Sequence, residues 1–170
     1  LGVDKNYQKG QPRAVMGSPI LEEGDIALKA TLQEVNEWQQ FELPVVATFR
    51  HFCIETLSSY TDDNQACISE VELIDDKGQV IDKTKWQVVD VDSELSDQKL
   101  GVGENLYDGD RSSFWHTNPS VKATHSHQII IDMQEIYKVS TFRVKVREGA
   151  FLSGKVKDIQ LYVRPQFFLF

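Results

Sequence analysis

Thr141-Phe142-Arg143-Val144-Lys145-Val146 alternates without a break: Phe142, Val144 and Val146 share one face of an extended chain, and Thr141, Arg143 and Lys145 share the other. A helix would spread these apolar residues around its axis, whereas a strand gathers them on one dry side. Similar short runs rich in Val, Ile, Phe and Thr recur at residues 40–43, 47–56, 68–74, 86–91, 128–132, 139–146 and 155–163. Turn formers separate them: TDDN at 61–64, DDKG at 75–78, DGD at 108–110 and EGAFLSG at 148–154. Residues 24–38 hold good helix formers and are read as strand plus loop, with a short helix as the alternative. Many short strands without βα alternation predict an all-β protein, an antiparallel sandwich or barrel.

The chain has 170 residues, enough for one ordinary core and short of two typical domains. Its 41% hydrophobic and 26% charged residues are those of a globular protein, and no apolar run approaches the ~20 residues that cross a bilayer. A net charge of −8 argues against nucleic acid and anionic membranes, which need clustered Lys and Arg. Cys53 and Cys67 have neither zinc-knuckle nor CxxC spacing and are read as buried thiols. If residues 49–56 and 67–75 form a hairpin, Cys53 lies opposite about residue 71, so a disulfide would need a shifted register. The leading LGVDKNYQKGQPR is polar and lacks signal-peptide architecture, while the apolar ending RPQFFLF suggests a cut from a longer precursor.

Catalysis finds little support. Asp108 and Asp110 sit two residues apart on one glycine-pivoted turn, where they would more naturally share a cation than flank a glycosidic bond. No Ser-His-Asp order, P-loop, HExxH or GxGxxG is present. The chain is read as a non-enzyme.

Four stretches carry more than composition: WQVVDVDSEL from Trp86, GENLYDGDRSSFWHT from Gly103, HSHQIIIDMQEIYKVSTFRVKVRE from His125, and GKVKDIQLYV from Gly154. Together they resemble the first half of a discoidin domain, the coagulation factor 5/8 type C domain, whose bacterial branch is the family 32 carbohydrate-binding modules. Ahead of them, Met16-Gly17-Ser18-Pro19, Ala47-Thr48-Phe49-Arg50-His51-Phe52 and Ala66-Cys67-Ile68-Ser69-Glu70-Val71-Glu72-Leu73 resemble that family's second half. The halves run in reversed order, residues 1–78 matching the second and 84–170 the first. The resemblance implies a jelly-roll, galactose-binding-domain-like β-sandwich. Two arrangements compete: one circularly permuted domain spanning 1–170, or the tail of one copy joined to the head of another. Half-domains would each expose strand edges and half a core, which favours the permuted domain, with exchange between two chains as a variant.

Calcium takes ~6–8 hard oxygen ligands from a tightly bent loop. NxxDGDxxS can supply Asp108, Asp110, Ser113 and the carbonyl of Asn105, with Gly109 permitting the bend. The resemblance adds Glu70, and Ser69 through its carbonyl, which would make a structural calcium ion a tie between the halves. An Asx-type turn facing water is the bland alternative. The family also implies a sugar site in the loops at one end. Trp115 is read as core, and His116, the next residue, as facing the other way towards a ligand. Arg147, Phe151 and Tyr60 complete the candidate carbohydrate contacts, while His125 and His127 are read as structural. The implied protein is a carbohydrate-binding accessory module of a secreted or surface glycan-processing protein, such as a chitobiase-like glycoside hydrolase. Its setting is extracytoplasmic, and its partners are a glycan and other domains of the parent chain. The alternative is a protein–protein adhesion or spacer module.

Overall fold

The computed structural model describes residues 26–61, 64–121, 125–147 and 153–164. Seven strands build it: β1 (Ile26–Thr31), β2 (Gln39–Thr56), β3 (Cys67–Asp75), β4 (Gln87–Val91), β5 (Trp115–His116), β6 (His127–Val146) and β7 (Asp158–Arg164). Their order is β1-β7-β2-β6-β3-β5, with β4 also paired to β6, and all these pairings are antiparallel. This is the all-β antiparallel sandwich that the alternating runs predict.

Two long strands organise the fold. β6 runs for 20 residues with β2 along one side, while β4 and then β3 share its other side. Each long strand fuses two runs that the sequence separates, 40–43 with 47–56 and 128–132 with 139–146. The fusion works because both strands are broken by irregularities rather than by turns: residues 43–46 of β2 face the single position 140 of β6, and 133–136 of β6 face Arg50. Gln134 takes a positive φ of 70° there. Such bulges bend a strand and reset which side chains point inward. In β2 the inward set accordingly passes from Phe49 to Phe52 and Ile54, switching parity across Arg50. One strand can then serve both layers.

One large core spans both parts of the chain, with a smaller cluster of Cys53, Ile130 and Tyr162 beside it. Phe49, Phe52, Ile54, Ile68, Val71 and Leu73 from the leading half pack in one cluster with Leu106, Trp115, Ile129, Ile131, Phe142 and Val144 from the trailing half. Edge-on rings tie β2 to the entry of β4 and to the turn before the DGD loop: Phe52 lies 5.4 Å from Trp86, and Trp86 lies 5.8 Å from Tyr107.

The anticipated hairpin between 49–56 and 67–75 does not form. β2 and β3 lie on opposite sides of β6, so Cys53 faces Ile130 and Tyr162 while Cys67 faces His116. Both cysteines are buried, and they are not joined in a disulfide. A turn-rich connection shows that the chain reverses, but not that the two strands it joins are neighbours. Residues 26–31 form β1 and the chain to Trp38 is loop, so strand plus loop holds over the short helix.

Candidate functional site

Two clusters sit where the halves meet. The first is the DGD loop. A short 3-10 turn, Gly103–Tyr107, delivers the chain to Asp108, and Gly109 takes φ 78°, a left-handed value open to glycine without strain. The Asp108 carboxylate closes the loop on itself, accepting from the Asp110 N–H at 2.8 Å and from Ser113 Oγ at 2.6 Å. Asp110 in turn accepts from the Ser112 N–H and hydroxyl. The Ser112 bonds hold its carboxyl below the usual range.

β3 approaches this loop from the other half of the chain. Ser69 Oγ lies 2.9 Å from the carbonyls of both Arg111 and Ser113. Glu70, 1% exposed, accepts the Gly109 N–H at 2.7 Å through Oε1 and meets Lys83 Nζ at 2.5 Å through Oε2. Burial pushes the Glu70 carboxyl up to about 7, and the neighbouring Asp108 carboxyl adds to the rise, against the pull of Lys83 and the Gly109 N–H.

The six predicted cation ligands are therefore together. Ser113 Oγ has Asp108 Oδ2 at 2.6 Å, the Asp110 carbonyl at 2.9 Å and the Asn105 carbonyl at 3.5 Å around it, yet one hydroxyl carries one proton. A surplus of acceptor oxygens over protons suits a hard cation. Among the described residues, no group of three or more His, Cys, Asp or Glu side chains could hold a metal. Lys83 is a residue that sequence reasoning missed. Its ammonium already neutralises one oxygen of Glu70, and no motif marks a lysine 13 positions downstream.

The second cluster lies at the end of β6. The Arg147 guanidinium stacks 3.9 Å from the centroid of the Phe114 ring, and the Phe114 and His116 rings meet at 6.3 Å and 69°. Beneath them, burial pushes the Cys67 thiol up to about 12 despite the nearby Arg147 cation. Trp115 is core as expected, fully buried with Nε1 donating to the Ser93 carbonyl. His116 corrects an expectation. Rather than facing solvent opposite Trp115 it is itself only 6% exposed, with Nδ1 against the Thr117 carbonyl and Phe114 packed beside it. Phe114 was not anticipated, because its neighbour Trp115 drew the reading of that segment.

Tyr60 lies apart from this pair. Its N–H donates to the Lys155 carbonyl, its hydroxyl to the Leu32 carbonyl, and Lys157 stands 5.6 Å from its ring centroid. The lateral order His116, Cys67, Lys155, Tyr60 places its backbone about 14 Å from that of His116, at roughly 4.8 Å per strand spacing. Phe151 lies outside the described residues. His125 and His127 both reach one carboxylate: Asp92 Oδ2 is 3.5 Å from His125 Nε2 and 2.8 Å from His127 Nδ1. Asp92 also accepts the Gln128 N–H at 2.8 Å. Burial opposes ionisation of Asp92, but the two histidines and this N–H outweigh it and hold the carboxyl below the usual range. That is an anchoring role, in keeping with structural histidines.

Both clusters draw on the trailing part of the chain, and there the comparisons agree. The profile of the F5/8 type C domain matches residues 88–166. This stretch resembles an F5/8 type C domain. Such domains are generally ligand-binding modules rather than catalysts. The chain is also similar to a sialidase from Micromonospora viridifaciens, 28% identical over 85 residues. The aligned part is 49% of this chain and only 13% of the sialidase. No helix among the described residues is long and apolar enough to cross a membrane.

Proposed function

We propose that the chain is a non-catalytic carbohydrate-binding module, stabilised by calcium at the DGD loop, and that its F5/8 type C sandwich is circularly permuted. The observation that carries the sugar reading is the Arg147–Phe114–His116 stack at the end of β6, inside the F5/8 type C stretch. Phe114 is itself only 8% exposed, so its ring holds the guanidinium in place, and the positioned N–H donors of Arg147 suit the hydroxyl edge of a pyranose. His116, buried beside Phe114, positions that ring. Tyr60 and Phe151 are assigned to outer contacts of the same end.

The calcium reading is supported by the crowding of acceptor oxygens around Ser113 Oγ, with Asn105, Asp108, Asp110, Ser113, Ser69 and Glu70 as the holders. When bound, the ion would supply charge neutralisation and cross-linking and no chemistry. The permuted reading is supported by β6, which belongs to the matched stretch and lies between β2 and β3 of the leading half. An extracytoplasmic accessory role beside a glycan-processing domain follows from the F5/8 type C match and the partial sialidase similarity.

The test is a glycan array followed by calorimetric titration of the best hit into wild type and Arg147→Ala. Binding in the millimolar to micromolar range that weakens at least tenfold in the variant is expected. A clean array, or a hit indifferent to Arg147, contradicts the reading and favours an adhesion or spacer module.

A further inference from the structure

The arginine–aromatic device at the end of β6 occurs a second time on the same strand. Arg143, four residues before Arg147, stacks its guanidinium 4.7 Å from the centroid of the Trp38 ring. Trp38 differs from the other two tryptophans: Trp86 and Trp115 are buried members of the core, whereas Trp38 is half-buried and outside it. A large ring outside the core calls for another reason to be there.

Its setting is rigid. Arg143 donates to Glu72 Oε2 at 2.7 Å, which tethers the guanidinium beside the indole. The loop carrying Trp38 is pinned at its base, since the Gln39 side-chain amide accepts the Gln33 N–H at 2.7 Å and donates to the Gln33 carbonyl at 2.9 Å. Gln40, exposed and opposite Arg143 in register, adds an amide with both donor and acceptor on that face of the sheet. Ring, cation and amide are the elements that bind a sugar, held in place before any sugar arrives.

We propose that Trp38, Gln40 and Arg143 form a second saccharide subsite, so that the module takes an oligosaccharide and not a single sugar. The two arginines are four residues apart along the chain, about 13 Å between their α-carbons at ~3.3 Å per extended residue, a span that one pyranose ring does not bridge. The proposal rests on the reading of Arg147 and Phe114 as the first subsite. A neutral, linear oligosaccharide of at least three rings is the ligand class, a C–H face on Trp38 and its hydroxyls on Arg143, Arg147 and Gln40.

The experiment is a titration of 15N-labelled protein with galactose, N-acetylglucosamine, a linear galactotriose and chitotriose, following the tryptophan indole and arginine side-chain resonances. A trisaccharide that shifts both the Trp38 indole and the Arg147 signal, and binds about tenfold more tightly than its monosaccharide, is expected. Trp38→Ala should remove that advantage, while Trp38→Phe, which keeps a stacking ring, should retain most of it. Shifts at Arg147 with an unmoved Trp38 indole for all four sugars overturn this inference alone and leave the first subsite standing. Shifts at neither position overturn both. Because Trp38 lies outside the core, Trp38→Ala should melt cooperatively; if it does not, the wild-type indole shift and Trp38→Phe decide.

Discussion

Glu70 Oε1 accepts the backbone N–H of Gly109 at 2.7 Å, so a buried carboxylate on β3 holds the turn of a loop 39 residues away. Strand and loop come from the leading and trailing parts of the chain. With an ion at the loop the same carboxylate gains a second task. Calcium at about a hundred times its dissociation constant stabilises a folded protein by about 2.7 kcal/mol, or roughly 5–10 °C for a domain of this size. That rise over the EDTA-treated protein is expected for wild type, and its loss for Asp108→Ala and Glu70→Gln, by differential scanning calorimetry. An equal melting temperature with and without calcium in wild type would reduce the DGD loop to a turn.

One core shared by both parts of the chain predicts one cooperative transition. Phe52 and Phe142 are each at most 1% exposed and lie on different halves of the same cluster. Phe52→Ala and Phe142→Ala should each lower the stability by about 3–5 kcal/mol. In urea, monitored by tryptophan fluorescence and by circular dichroism, both variants should shift a single transition. Two transitions, each sensitive to one variant, would mean two separately folding units.

His51 should make the protein acid-sensitive well above the carboxylate range. Burial lowers it from 6.5 to about 4, aided by Arg50 and opposed by the Asp132 carboxylate, which lies 3.2 Å from Nε2. Between these values the unfolded chain takes up a proton that the folded chain refuses, so stability falls as pH drops from 6.5 towards 4. The upper bound is about 3 kcal/mol. Urea midpoints measured from pH 7 to 4 should show the slope in wild type and a flatter line in His51→Gln; equal slopes would remove His51 from the account.

Asp92 acts in a lower window. Its carboxyl is held below its ordinary 3.8, so the stability it contributes is complete above that value and disappears as pH falls through the lowered one. Asp92→Asn should therefore be less stable than wild type at neutral pH, with the gap closing below about pH 3.8. A gap that stays constant down to pH 2 would show that the two histidines contribute nothing through charge.

Much of the fold was legible because period-2 alternation is local: the side chains of residues 141–146 carry their own pattern. The pairing of β2 and β3 with β6 was not, since partners 64 or more residues apart leave no mark on either strand, and bulges at 43–46 and 133–136 read as breaks. The DGD turn was legible because Gly109 and its oxygen-bearing neighbours crowd a short stretch, and Glu70 entered through the family pattern. Lys83 and Phe114 were not, because a charge partner and a stacking ring are defined by where their neighbours fold.

The most direct test of the central claim is the chemical-shift map of wild-type protein against the saccharide that the glycan array selects, with calcium present. Shifts that cluster at Phe114, His116 and Arg147, and an affinity at least tenfold weaker in Arg147→Ala, are the predicted result. Shifts elsewhere on the sandwich, or none at saturating sugar, would contradict a carbohydrate site at the end of β6.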